Sequence, residues 1–243
     1  MNPPDDATYQ HSPRHIQPDE GERPARIIGT APARPARLAD EFFFVAHHDQ
    51  TGRPRLHATG VGLGLAAALL LELHEAGRVT FDRGQVRVLD TRPPADALQH
   101  LILDRLVAES QHTATQVWLA FVADSAAEQV AQRLWQAGKV RPEQVRRLWR
   151  SGVVYVPTDI NTAAWPWARL SFKLRRYEQL DPFDLALAGL VVHTGLDRYV
   201  LDGAPYAAAA HLRRLLDDAW PALRDLLADL GTAIGNSVLT HRT

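Results

Sequence analysis

The chain has no cysteine among its 243 residues, which excludes disulfides, thiolate metal sites and a cysteine nucleophile. Neither sign of charge is in excess. With 27 basic and 28 acidic side chains the formal net charge is -1, so there is no bulk attraction to nucleic acid or to an anionic membrane, and any such partner must be met by a local patch. A phosphate-binding loop is missing. Gly60-Val-Gly-Leu-Gly64 has no Lys-Ser/Thr after it and leads into a helical pattern instead of leaving a strand, so its glycines are read as easing close helix contact. No Gly-x-Ser-x-Gly nucleophile motif occurs. His47-His48-Asp49 has no partner at metal-ligand spacing, and adjacent side chains splay apart. Together these absences point to a non-catalytic chain, with neither metal nor organic cofactor expected. The start, MNPPDDATYQ, has no basic and then apolar stretch of the secretory type, so a cytoplasmic protein is expected. Lysine is scarce and methionine occurs once, a composition resembling that of GC-rich bacterial chains.

The strongest feature present is Val61–Asp90, VGLGLAAALLLELHEAGRVTFDRGQVRVLD. It reads as a helix apolar on every face, stopped by Gly77 and followed by a β-hairpin turning at Asp82-Arg83-Gly84. A helix without a polar face cannot lie on a surface, so it is expected at the buried centre of an α-rich domain. The apolar run from Val61 to Leu71 is also shorter than the roughly 20 residues a bilayer span takes.

Around this centre the pattern is helical. Residues 1–37 hold seven of the 16 prolines and no apolar periodicity, and are expected as a disordered tail carrying Arg23, Arg26, Arg34 and Arg37. Leu38–Asp49 reads as a short helix with Phe42, Phe43, Phe44 and Val45 inward, ending at a turn over Asp49–Pro54. Past the break at Thr91–Pro94, a helix opens at Ala95 or Asp96 and runs to about Glu109, with Leu98, Leu101, Ile102, Leu106 and Val107 on one face. Two further helices are expected, Thr113–Val122 and Ser125–Ala137, the second stopped by Gly138. From Pro182 the chain is helical to its end: Phe183–Leu196 buried with Asp181 as N-cap, then Ala207–Ala219, then Pro221–Leu239 with Leu223, Leu226, Leu227 and Leu230 inward. The predicted class is mainly α, a single helical domain over residues 38–243 with short peripheral hairpins.

Leu134-Trp-Gln-Ala-Gly-Lys-Val140 echoes Leu73-His-Glu-Ala-Gly-Arg-Val79, each followed by strand-like residues. This helix–Gly–basic–Val–hairpin order suggests either two winged-helix-like units or a common local device. A winged-helix DNA-binding role is disfavoured: the candidate recognition helix is too apolar for a groove and lacks side chains for base edges. The second hairpin, around residues 146–156, carries Trp149, Val153, Val154 and Tyr155 beside Arg146, Arg147 and Arg150, with Leu148 between them. Apolar groups beside arginines suit a membrane interface, a partner's groove or a contact in a homo-oligomer.

LADEFFFVAHHDQTGRPR, GLGLAAALLLELHEAGRV, the hairpin, the Pro93-Pro-Ala-Asp96 break, Trp118 with Glu128 ten residues on, and LWQAGKV occur in one order. That series resembles the Golgi phosphoprotein 3-like family, whose eukaryotic members are peripheral Golgi adaptors and whose bacterial members are frequent in actinobacteria. The resemblance runs from about Leu38 to the C-terminus. It implies a mostly helical domain, a shallow basic pocket for phosphatidylinositol 4-phosphate, and an apolar hairpin that enters the membrane or meets another subunit. Carried over residue by residue, the family's stacking Trp falls at His57, one pocket Arg at Ala66, and two more at Asp124 and Ala127. Three cations are thus not retained and a carboxylate is introduced. Arg53, Arg55 and His57 are the candidates for rebuilding a head-group site from the neighbouring loop. An anionic phospholipid head group, a protein partner or a second copy are the partners this implies.

Overall fold

The computed structural model describes residues 37–146 and 151–240. The expected tail, except Arg37, and residues 147–150 of the second hairpin lie outside the described residues. In chain order the elements are α1 (Leu38–Ala46), α2 (Ala58–Glu75), β1 (Val79–Asp82), β2 (Gln85–Val88), α3 (Ala97–Ala108), α4 (Thr115–Gln136), β3 (Val140–Arg146), β4 (Ser151–Pro157), α5 (Ile160–Arg175), α6 (Pro182–His193), α7 (Asp197–Val200), α8 (Tyr206–Asp217) and α9 (Pro221–Thr240). The fold is mainly α, with two separate two-stranded antiparallel sheets.

Alanine and leucine make α2 a strong helix former. His57 caps it, its Nδ1 accepting from the Thr59 N–H at 3.4 Å. Every residue from Val61 to Leu73 is buried, enclosed by α1, α4, α6 and α9. At 18 residues α2 is longer than the apolar run suggests, and among the described residues it is the one helix long and apolar enough to cross a membrane. Its enclosure by protein, not its length, marks it as a core helix. The glycines at its start act as spacers. A Cβ on Gly62 would stand 2.7 Å from the Ala123 carbonyl oxygen of α4, and one on Gly64 would stand 2.3 Å from Phe42 Cζ of α1.

The sequence echo is a shared helix end. Arg78 donates to the Leu73 carbonyl at 2.9 Å and Gly77 to His74 at 2.9 Å, while Lys139 donates to Leu134 at 2.9 Å and Gly138 to Trp135 at 2.8 Å. Both glycines hold positive φ, 69° and 72°, which only glycine adopts at no steric cost, and each satisfies carbonyls the helix leaves open. A third copy ends α6, where Leu196 donates to Val191 at 2.9 Å, and no hairpin follows it. The echo is therefore a capping device.

Several expectations need correction. Thr113–Val122 and Ser125–Ala137 are one continuous 22-residue helix, α4; Asp124, read as part of the gap, and Ser125, read as the second start, lie on its solvent face. On α3 the buried residues are Ile102, Leu103 and Leu106, whereas Leu101 and Val107 are exposed. The polar stretch 140–146 is itself a strand, paired with β4 from Val140 opposite Pro157 to Arg146 opposite Ser151. Nothing in the periodicity marks α5, because Pro166 sits inside it and cannot donate to the turn before. The Arg83-Gly84 turn, the cap by Asp181 and the four inward leucines of α9 are as read from the sequence.

The helices are also tied by buried ion pairs. Arg133 of α4 donates through Nε to Asp40 Oδ1 of α1 (2.9 Å), and through Nη1 to Glu72 Oε2 of α2 (3.4 Å) and to Asp96 Oδ1, the cap of α3 (3.2 Å). Arg37 also pairs with Asp96. Glu72 further accepts from the Ala39 N–H at 2.8 Å and from Gln99 at 2.8 Å. A second group joins Arg169 of α5 to Glu41 of α1 (2.5 Å) and Asp184 of α6 (2.7 Å), with Lys173 on Asp184 at 2.5 Å. Burial pushes the Glu41 carboxyl above its usual range, against the pull of Arg169.

Removing one member of such a cluster strands the others without water. Arg133→Ala is expected to cost about 3–5 kcal/mol in denaturant unfolding, with Arg133→Lys intermediate. Gly62→Ala gains about 1 kcal/mol of helix propensity, but its methyl meets a backbone carbonyl that cannot rotate away. A net loss of about 1–3 kcal/mol is expected in the same assay.

Candidate functional site

Where α1 ends, the chain folds back in a tight loop. His48 donates to the Arg53 carbonyl at 2.8 Å, Gly52 to His48 at 2.8 Å and Arg55 to Ala46 at 2.8 Å. Gly52 holds φ +63°, and a Cβ there would stand 2.2 Å from the Tyr155 carbonyl oxygen. That contact seats the loop against β4. Between loop, strand and α4 lies a hollow of about 190 Å³, walled by His47, Gly52, Ala127, Glu128, Val153 and Tyr155 among others. Its aromatic wall is formed by Phe43 and His47, stacked with ring centroids 4.0 Å apart.

The polar groups of the hollow are neutral or acidic. His47 Nδ1 lies 2.7 Å from the Phe43 carbonyl oxygen, so it carries the hydrogen and donates. Burial, with Arg55 nearby, holds the imidazole pKa down at about 4. Tyr155 donates to Glu128 Oε1 at 2.7 Å, and this bond pushes the phenol pKa up to about 12. Gln132 donates to the same oxygen at 2.9 Å. Among the described residues lining the hollow there is no lysine or arginine.

The sequence-derived candidates are dispersed. Ala127, Val153, Val154 and Tyr155 line the hollow together. Asp124 is exposed one turn before Glu128 on α4. Ala66 has 0% exposure and lies within the core. His57 is occupied as the cap of α2. Arg53 is exposed between Gly52 and Pro54, two residues of the wall. Arg55 faces elsewhere: its Nε donates to the His47 carbonyl at 3.1 Å, its Nη2 to the Tyr199 hydroxyl at 2.8 Å, and its guanidinium lies 3.8 Å above the Tyr199 ring. Arg147, Leu148, Trp149 and Arg150 lie outside the described residues. His47, Gly52 and Glu128 are wall residues that the residue-by-residue reading does not single out as head-group positions. The one available signal is the glycine within His47–Pro54, which a tight loop requires.

Two larger adjoining hollows, about 310 and 200 Å³, lie between α3 and α4 and share Arg105 and Phe121. The larger is lined by Arg105, Glu109 and His112 beside Val117, Trp118 and Phe121, the smaller by Arg105, Ser125 and Gln129 among apolar side chains. Among the described residues no three His, Cys, Asp or Glu side chains stand together as metal ligands.

The sequence model of the Golgi phosphoprotein 3 (GPP34) family matches residues 38–230. The chain belongs to that family. It is a family of phosphoinositide-binding adaptors, and the helical architecture accords with it. No curated protein matches the chain.

The depressed His47 imidazole sets a pH dependence. Unfolded, it titrates near 6.5; folded, near 4. Between these values the unfolded state binds the extra proton, so this contribution is complete above pH 6.5 and is lost as pH falls toward 4, by up to about 3 kcal/mol. His47→Gln is expected to be less stable at pH 7 but to lose less on acidification over that window, as read by urea unfolding at several pH values.

Proposed function

We propose that the protein is a non-catalytic peripheral-membrane adaptor, acting from the cytoplasmic face, in which the head-group hollow no longer selects phosphatidylinositol 4-phosphate. The observation that carries this is the chemistry of the hollow under β4. It contains Ala127, a position where the family places a cation, and Glu128 is the one carboxylate among its described wall residues. Asp124 adds a second carboxylate a turn away, and Arg55, one of the two guanidiniums of the loop, is spent on Tyr199. A phosphomonoester would meet negative charge where it requires guanidinium forks. Each missing charge-assisted bond forgoes about 1.5–3 kcal/mol of affinity. Arg53, exposed at the rim, is the other guanidinium of the loop and offers a single fork.

A second reading has its own support. Val153 of β4 is 49% exposed beside the hollow, as an apolar contact for another protein or a second copy would be. Light scattering on Val153→Asp separates the two readings: a halved mass with unchanged vesicle binding favours self-association.

Co-sedimentation tests the first reading. The wild-type chain is expected to bind anionic vesicles with no preference for phosphatidylinositol 4-phosphate over another anionic lipid at equal charge. Asp124→Arg combined with Ala127→Arg is expected to gain roughly tenfold or more on phosphatidylinositol 4-phosphate vesicles. Saturable, phosphoinositide-selective binding by the wild type would overturn the reading.

A further inference from the structure

Among the described residues, the outer face of α5 is an exposed apolar helix face, and it is not part of the hollow. On α5, Ala163, Leu170 and Leu174 are buried against the core. On the opposite side Asn161, Trp165, Ala168, Phe172 and the capping residue Arg176 follow one another at steps of three and four, forming one stripe along the helix. Trp165 is 60% exposed and Phe172 59%, with Ile160 at 43% at the start of the helix. Surface helices do not ordinarily turn a tryptophan and a phenylalanine to water two turns apart on one line, because each forfeits the stabilisation that burial gives.

Charge decides what covers this stripe. From Ile160 to Tyr177 the chain has four cations, Arg169, Lys173, Arg175 and Arg176, and no aspartate or glutamate. Arg169 and Lys173 face α1 and α6 and are paired with Glu41, Asp184 and Asp181. Arg176 pairs with Glu178 and also lies 5.2 Å above the Phe172 ring. Arg175 meets no carboxylate among the described residues; it donates to Ser171 and to the carbonyls of Asp202 and Gly203. The stripe itself is thus aromatic with one cation, Arg176, at its C-terminal end, Arg175 next to it and no anion on it. None of the three hollows described above is lined by α5. A protein partner would have to bring its own groove. A bilayer interface needs none: it accepts an amphipathic helix lying in its plane, with Trp and Phe at the head-group boundary and Arg beside phosphates.

We propose that the outer face of α5, centred on Trp165 and Phe172, is a surface that lies in the interface of an anionic bilayer. The inference rests on the peripheral-membrane reading above, and it assigns the attachment to a place distinct from the head-group hollow. Apolar transfer supplies most of the affinity, and Arg175 and Arg176 supply a modest dependence on anionic lipid and salt.

Because the chain has no cysteine, a single introduced thiol is unique. Phe172→Cys and, as a control on α3, Val107→Cys are labelled with an environment-sensitive fluorophore and mixed with phosphatidylcholine vesicles with or without phosphatidylglycerol. The expected result is a blue shift at position 172 and none at 107, with Trp165→Ser/Phe172→Ser lowering vesicle partitioning roughly tenfold or more while circular dichroism stays unchanged. Wild-type sedimentation with vesicles but a silent label at 172 overturns the inference and leaves the peripheral reading standing. A shift at 172 that follows protein concentration without lipid, with a dimer that the double variant dissolves, overturns it in favour of a second copy. Failure of the wild type to sediment with any vesicle overturns both.

Discussion

Glu72 is the only ionisable residue in the buried stretch of α2, and how it is satisfied constrains much of the architecture. A carboxylate enclosed on an all-apolar helix is tolerable only with charge and hydrogen bonds brought to it. Arg133 brings the charge from α4, Gln99 a bond from α3, and the Ala39 N–H a bond from the first turn of α1. Because Arg133 also holds Asp40 and Asp96, three helix starts or ends and the last turn of α4 are fixed to one point. Hydrophobic enclosure of α2 is non-directional and would allow neighbours to slide; this cluster sets their register. The α1 end and α4 are two of the three walls of the hollow, so its shape is inherited from an ion cluster at the other end of α1.

Local physics was legible in the sequence, and cross-chain partnership was not. The all-apolar run at Leu65–Leu71, the Gly77 and Gly138 stops and the Asp181 cap each follow from a residue and its immediate neighbours. The break read between Val122 and Ser125 failed because Asp124-Ser125 has the composition of a cap, while the register of α4 is set by Trp118, Leu119, Val122, Ala126 and Val130 beneath. The helix α5 was hidden by Trp-Pro-Trp, whose proline disrupts one bond while burial of Leu170 and Leu174 secures the rest. In the site, Ala127 was located by resemblance alone. The bonds that fix its chemistry join Tyr155 to Glu128 and Arg55 to Tyr199 across 27 and 144 residues. No spacing rule reaches that far.

Arg55 shows why charge counting along a segment misleads. Arg53, Arg55 and His57 look from the sequence like a cationic loop beside a phosphate site, yet only the position of each guanidinium decides its use. Arg55 is drawn off by a hydroxyl and a ring face on Tyr199, which together outcompete open solvent. What remains among the described wall residues of the hollow is Glu128, with its Tyr155 bond, and a histidine held neutral. Gly52 then matters beyond its own φ, because the absence of a Cβ is what lets this loop approach Tyr155 at all.

On the proposed reading, the hollow and α5 divide the work of attachment in a way that changes its physics. A phosphoinositide site concentrates affinity in a few charge-assisted bonds, so binding is selective for one head group and weakens as salt rises. An aromatic helix face distributes affinity over apolar area, which salt barely touches and which does not distinguish head groups. The covalent link between the two is short: β4 ends at Pro157 and α5 begins at Ile160 with Asp159 as its cap. A helix seated by Arg169 on Glu41 of α1 and Asp184 of α6 is held firmly by the core. Its outer face is therefore rigid before any lipid is met, and little ordering entropy opposes its partition. Selectivity in such a protein has to come from whatever else meets the membrane beside α5; on the proposed reading the Glu128-lined hollow disfavours a phosphomonoester.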